Sequence, residues 1–145
     1  MLNWILLIPI VLLAAASIQD LRTREVSDGF SVAIATSAVV CIAFGWWPLS
    51  WAGCGLGGLI GIILGVMLFT FGRFGGADAK LTAALGLWFG PLMLPLVMVW
   101  VALAGAVLAG IAYARGKKEL AYVPAILAGV ILHATMPNLW ISLTP

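Results

Sequence analysis

The sequence predicts an all-α fold, a polytopic bundle of membrane-spanning helices, and three observations lead to this prediction. Hydrophobic residues make up 64% of the 145 residues, charged residues only 8%, and the mean hydropathy is +1.20. A soluble domain is about 45–50% apolar and about 25% charged. The apolar residues form runs close to the roughly 20 residues that a helix needs to cross a bilayer. The charged residues are confined to three short segments between those runs.

The first apolar run, 4–19, predicts the first span. The N-terminal sequence MLNWILLIPIVLLAAAS ends in small residues that resemble the cleavage site of a secretory signal. A secretory signal also begins with positively charged residues, and no Lys or Arg precedes Arg22. We therefore interpret this run as a membrane helix.

Two further runs, 29–44 and 53–71, predict the second and third spans. The segment GWWPLSW between them has three tryptophans and a proline, as expected where a chain turns at the aromatic belt of a membrane. The third run carries a glycine at every fourth position, namely Gly53, Gly57, Gly61 and Gly65. These glycines share one helix face and allow a second backbone to approach closely. We expect a packing seam there, and homodimerisation through the same face is the alternative.

The stretch 81–114 is too long for one span and just long enough for two short ones, interrupted near Gly90-Pro91 or at Pro95. One span with a re-entrant piece is the alternative. A last run completes six spans in a single domain that covers the whole chain. The predicted spans are 4–19, 29–44, 53–71, 81–95, 97–114 and 120–136.

The positions of the charges support six spans. All 7 Lys or Arg and all 5 Asp or Glu lie in the segments 20–28, 73–80 and 115–119. With six spans, these segments share one side of the membrane, and the other side carries no charged side chain. Because loops rich in Lys and Arg stay in the cytoplasm, the charged side is predicted to be cytoplasmic and both termini periplasmic.

Few side chains in this sequence are candidates for catalysis or for metal binding. His133 falls in the outer half of the last span, away from the charged segments, and we interpret it as a packed or hydrogen-bonded histidine. Cys41 and Cys54 have neither metal-ligand spacing nor a disulfide framework, and inert buried thiols are expected. The sequence shows no metal-ligand set and no phosphate-binding loop. We therefore predict no metal, no cofactor and no nucleic-acid partner.

What remains is a pair of carboxylates. Asp20 ends the first predicted span and Asp78 begins the fourth, so six spans place both at the cytoplasmic boundary. Two neighbouring carboxyl groups share a proton: one activates water, and the other protonates the carbonyl oxygen of an amide. The pair therefore indicates an aspartic protease. The alternatives are a span-ending charge cluster of Asp20 with Arg22 and Arg24, an interaction of Asp78 with the helix dipole, and a Lys80 that extends to the interface.

Three motifs resemble those of the type IV prepilin peptidases, and they occur in the order of that family. QDLRTREVSDGFS, 19–31, is similar to the first aspartate motif, and GGADAKLTAALGLWFG, 75–90, is similar to the second. ELAYVPAILAG, 119–129, resembles the late segment that opens the last span. The departures are Ala77, where the family has glycine, and residues 26–28, which read VSD where the family has IPN.

The resemblance implies a membrane aspartic endopeptidase that removes the short basic leader of a type IV prepilin or pseudopilin, after a glycine, at the cytoplasmic face of the bacterial inner membrane. The apolar segment of the substrate is then expected to lie against lipid-facing spans. Asp20 and Asp78 match the two catalytic aspartates, and Lys80 matches the lysine after the second. The sequence lacks the large cytoplasmic insert of the longer enzymes. It is therefore similar to the short form, which is associated with Flp-type pili and tight-adherence secretion and lacks the methyl-transfer activity. The expected partners are this substrate and membrane lipid.

Four residues near the two aspartates also have expected functions. Gly75 and Gly76 are expected to give the loop before the second motif the freedom to admit an extended substrate. Arg22 signals the topology and is a candidate contact for the leader. Asp28 is expected to be the N-cap of the second span, and its rival role is membership of the dyad in place of Asp20.

Two other function classes are consistent with a small membrane protein. A transporter would place polar groups near the midplane of the membrane, and the charged residues here are not near it. A non-catalytic membrane subunit of a pilus or secretion assembly needs neither aspartate. Substitution of the aspartates by Asn separates that subunit from a protease.

Overall fold

The computed structural model describes residues 4–72, 75–116 and 121–135, and within them every regular element is helical. This confirms the predicted all-α class. A short 3-10 helix, Trp4–Leu6, precedes the first α-helix. The α-helices are α1 Leu7–Thr23, α2 Asp28–Ala43, α3 Trp51–Gly72, α4 Gly76–Ala114 and α5 Val123–Thr135.

Three helical stretches among the described residues are long and apolar enough to cross a membrane. They are Trp4–Thr23, Trp51–Phe71 and the whole of α4. The helices α2 and α5 are also apolar but shorter, with 16 and 13 residues. Large hydrophobic side chains such as Val66 and Phe69 are exposed on α3, as expected of a helix that faces lipid. The count of six spans and the periplasmic termini stay predictions.

The long helix α4 is interrupted at Gly90, whose φ of 72° and ψ of −178° are not helical. Of the two sites where the sequence predicted an interruption, the structure has it at the first. Glycine adopts a positive φ without the steric cost of a side chain, and Pro91 has no N–H to continue the helical ladder. The indole N–H of Trp47 donates to the carbonyl of Trp88 at 2.7 Å, so a carbonyl next to the interruption has a partner.

The chain forms two compact units. The first comprises Met1–Arg24 and Leu96–Pro145, and the second comprises Glu25–Pro95. In the described part of the first unit, α1 packs against α5. Both helices bury apolar side chains, including Leu13 of α1 and Val130 of α5, which have no exposed surface. The prediction of a single domain is not tested by this division.

In the second unit, α3 and α4 meet at glycines. A Cβ atom added at Gly61 would lie 2.8 Å from the carbonyl oxygen of Thr82, and one added at Gly65 would lie 2.6 Å from that of Ala79. A Cβ at Gly57 would meet the backbone oxygen of Gly86. The predicted packing seam is therefore confirmed, and it joins α3 to α4 of the same chain.

The seam also bears on the homodimer alternative. Because α4 covers the face with Gly57, Gly61 and Gly65, that face is occupied inside the second unit. The fourth glycine of the series, Gly53, faces the side chains of Leu49 and Ser50 instead. A dimer through these glycines would have to displace α4.

The segment GWWPLSW, predicted to be an interfacial turn, has both an exposed and a buried part. Trp46 and Trp51 are exposed, as expected at a membrane interface. Trp47 is buried, with its ring edge-on to that of Trp88 at a centroid distance of 5.4 Å. The indole N–H of Trp88 donates to the carbonyl of Ile34 at 2.9 Å. Trp88 therefore ties α4 to α2 in the second unit.

Candidate functional site

Asp20 lies in the last turn of α1, in the first unit, and is only 8% exposed. Its Oδ2 accepts the backbone N–H of Val123, the first residue of α5, at 3.1 Å. The first N–H groups of a helix have no partner within the helix, so a carboxylate at this place satisfies one of them. It also lies at the positive end of the helix dipole. The contact holds the Asp20 carboxyl group at the start of the last helix.

The chain leaves α1 immediately after this aspartate. Arg24 adopts a left-handed conformation with φ 56°, and its N–H donates to the carbonyl of Asp20 at 3.0 Å. This turn ends the helix one turn beyond the aspartate. Arg22, the candidate contact for a leader, is exposed on that last turn.

Asp78 lies in the first turn of α4, in the second unit, and is partly buried. Its Oδ2 accepts the N–H of Gly75 at 3.2 Å, and its own N–H donates to the carbonyl of Gly75 at 3.1 Å. Asp78 is the third residue of α4, and its carboxylate accepts the N–H of Gly75, the residue before the helix, as in a capping box. Gly75, which the sequence assigned to an open loop, therefore caps α4.

Gly76 is the first residue of α4. A Cβ atom added there would lie 4.0 Å from the Cε2 of Phe69, in ordinary van der Waals contact. Space is therefore available for a side chain at Gly76. Arg73, another basic residue of this segment, lies outside the described residues.

The two aspartates belong to different compact units, and the position of each is set within its own unit. Both lie at helix termini, and both accept a backbone N–H: Asp20 from the first residue of α5, and Asp78 from the residue that caps α4. Each carboxyl group is therefore oriented by the main chain. Their pairing in one dyad stays a prediction.

Lys80 pairs with Asp28. The Nζ of Lys80 lies 2.7 Å from each carboxylate oxygen of Asp28, and the two side chains are 55% and 66% exposed. An exposed ion pair contributes only about 0.2–1 kcal/mol to stability. Its consequence is geometric, because it joins the first residue of α2 to a residue of α4 that lies two positions after Asp78.

The expectation that Asp28 is the N-cap of the second helix is wrong. The N-cap is Ser27, whose Oγ accepts the N–H of Gly29 at 3.3 Å. Since the serine one residue earlier satisfies this donor, the carboxylate of Asp28 remains available to Lys80. The sequence contained a signal for this arrangement, because serine is among the most favoured N-cap residues.

His133 is fully buried in α5. It lies ten residues beyond Val123, which is about 15 Å along a helix at 1.5 Å per residue. It is therefore at the other end of α5 from Asp20, as the sequence predicted. Among the described residues, no group of three His, Cys, Asp or Glu side chains is placed to hold a metal ion.

One contact of a candidate catalytic residue was not predicted from the sequence, the bond between Asp20 and the N–H of Val123. Val123 lies in the late segment ELAYVPAILAG, but no side chain of that segment marks it as the partner of Asp20. A backbone donor leaves no trace in side-chain chemistry, so the partner could be found only from the packing of α1 on α5.

The comparison with protein families adds one finding. The sequence model of the type IV leader peptidase family matches residues 6–110, well over half of the chain. The matched region contains both aspartates and the Asp28–Lys80 pair, and Val123 lies beyond it. No curated protein and no solved structure matches the chain significantly.

Proposed function

This chain belongs to the type IV leader peptidase family, and we propose that it is an aspartic endopeptidase that removes the leader of a Flp-type prepilin. The family makes it a peptidase, and its apolar helices are those of a membrane protein. The proposed site faces the cytoplasm from the inner membrane, since the predicted six spans would place all the charged segments on one side. The observation that supports the proposal is that Asp20 and Asp78, both within the region that matches the family, each accept a backbone N–H at a helix terminus.

In the proposed mechanism, Asp20 and Asp78 share one proton. The ionised carboxyl group takes a proton from water, and the resulting hydroxyl attacks the carbonyl carbon of the scissile amide. The protonated carboxyl group donates its proton to the carbonyl oxygen. When the intermediate collapses, the C–N bond breaks and the leaving amine takes a proton from one carboxyl group. The other carboxylate takes the proton of one hydroxyl of the intermediate, so the product is a carboxylic acid and the dyad regains its single shared proton. The N–H bonds from Val123 and Gly75 restrict rotation of the two carboxyl groups and so keep them aimed at the substrate.

The proposal is tested by co-expression of the chain with a Flp-type prepilin. We expect the prepilin to shift to a faster mobility on a gel, and sequencing of the product should show a new N-terminus after a glycine. A non-catalytic assembly subunit would leave the prepilin at its full length. The absence of a shift, while the chain accumulates in the membrane, would therefore contradict the proposal.

Val123→Pro is expected to lower cleavage about tenfold while the chain still inserts. Proline is well accepted in the first turn of a helix, so the start of α5 should survive. It has no N–H, however, and the carboxyl group of Asp20 loses the donor that now lies at 3.1 Å. The measurement is the initial rate of prepilin cleavage by detergent-solubilised enzyme.

The matched control is Val123→Ala, which retains the N–H but removes buried side-chain volume. It should unfold at a lower temperature than wild type and still cleave at a rate close to wild type. If Val123→Pro cleaves as fast as Val123→Ala, this backbone bond does not position the carboxyl group.

A further inference from the structure

An open groove of about 550 Å³ lies within the second unit, between α2, α3 and α4. Its walls are formed mainly by apolar side chains, such as Val32 of α2 and Leu59 of α3, both of which are exposed. Ala84 of α4 and Gly55 of α3 also line it. Small residues of this kind allow another helix to approach closely. The groove is therefore shaped for an apolar, elongated partner.

The groove is charged at one end only. Asp28 is the lining residue nearest the start of α2, and Lys80 is the lining residue nearest the start of α4. The lining residues extend seven positions along α4, which corresponds to about 10 Å or two helical turns. Asp78 precedes Lys80 by two residues in the first turn of the same helix. An apolar path of two turns thus ends at the turn that carries a proposed catalytic aspartate.

We infer that this groove holds the apolar segment of the prepilin that follows the scissile bond, with the basic leader at Asp28. The inference rests on the proposed function. Charge complementarity supports this occupant, because the carboxylate of Asp28 is 66% exposed and can exchange Lys80 for a cation of the leader. With the basic leader at Asp28 and the apolar segment in the groove, the scissile bond of the prepilin would lie beside the first turn of α4. A lipid acyl chain is the other candidate occupant, and the experiment below distinguishes it from the prepilin.

Gly55 provides a way to fill the groove. A Cβ atom added at Gly55 meets nothing within 4 Å, so a larger side chain there extends into open space without disturbing the packing of the helices. Gly110 of α4 is the matched control, because it also has nothing within 4 Å and does not line the groove. The two variants Gly55→Leu and Gly110→Leu therefore add the same side chain to a helix, inside and outside the groove.

The experiment measures kcat and KM for a purified Flp-type prepilin. For Gly55→Leu we expect KM to rise at least tenfold, with kcat changed less than threefold and an unchanged unfolding temperature. Gly110→Leu should match wild type. If Gly55→Leu has the KM of wild type, the inference is overturned. If that variant also loses lipid that co-purifies with wild type, the groove holds lipid instead of the prepilin.

A second readout does not depend on cleavage. A photoreactive amino acid is placed at Leu59, in the groove, or at Val107, which is exposed on α4 outside it. Both variants carry Asp78→Asn, so that the prepilin stays intact. A prepilin adduct at Leu59 and none at Val107 supports the groove even if the wild-type chain proves unable to cleave, and the absence of an adduct at Leu59 overturns it.

Discussion

Asp20→Asn and Asp78→Asn are each expected to reduce prepilin cleavage at least 100-fold, while both variants accumulate at the wild-type level. Acid–base catalysis by a positioned side chain contributes about 10²- to 10⁴-fold, and an amide cannot exchange the proton that the mechanism requires. The fold should survive, because the amide oxygen of Asn still accepts a backbone N–H. In wild type those donors are Val123 at 3.1 Å from Asp20 and Gly75 at 3.2 Å from Asp78. The measurement is the fraction of co-expressed prepilin that is cleaved.

The control for this pair is Glu25→Gln. Glu25 is an exposed acid on the segment that follows α1, and it matches no aspartate of the family motifs. Its variant should cleave as wild type does. Full cleavage by Asp20→Asn or Asp78→Asn would exclude the dyad. Cleavage by Asp20→Asn together with complete loss in Asp28→Asn would instead assign the first catalytic position to Asp28.

Gly57→Ala is expected to destabilise the protein by about 1–3 kcal/mol, the typical cost of overpacking. The added methyl group would meet the backbone oxygen of Gly86, which cannot turn aside as a flexible side chain can. The helices α3 and α4 would have to separate along the whole seam. Because α4 carries Asp78 and Lys80, cleavage should fall as well. The measurement is the thermal unfolding temperature in detergent, followed by circular dichroism.

Gly55→Ala is the matched control on the same helix. Its methyl group meets nothing within 4 Å, and alanine is favoured over glycine in a helix by up to about 1 kcal/mol. This variant should therefore unfold at the wild-type temperature or slightly above it. Equal unfolding temperatures for Gly57→Ala and Gly55→Ala would show that α3 and α4 do not pack through these glycines.

The interruption at Gly90 and the glycine seam show why much of this fold could be predicted from the sequence. Hydrophobic runs indicate membrane helices, a glycine-proline pair indicates an interruption, and a four-residue glycine spacing indicates close helix packing. All three are local patterns of the sequence. The structure has the interruption at Gly90 and the seam at Gly57, Gly61 and Gly65. The ends of the elements were less predictable. The last helix begins at Val123, three residues later than the predicted span.

The Ser27 cap illustrates a limit of local reasoning. Ser27 and Asp28 are both of residue types that cap helices, and the cap predicted from the sequence is Asp28. The structure has Ser27 as the cap and Asp28 paired with Lys80, 52 residues away. Local patterns favour both residues as caps, and they do not show that the carboxylate of Asp28 has a cation from a distant part of the chain as its partner.

The sequence by itself determined the helical class, the apolar segments, the family and the two candidate aspartates, because hydropathy and short motifs are properties of neighbouring residues. Only the tertiary structure decided the partners of those aspartates and charges. The N–H of Val123 reaches Asp20 across 103 residues, and Lys80 reaches Asp28 across 52. Both contacts depend on how helices pack in space, and a main-chain donor is the same at every non-proline position of the sequence.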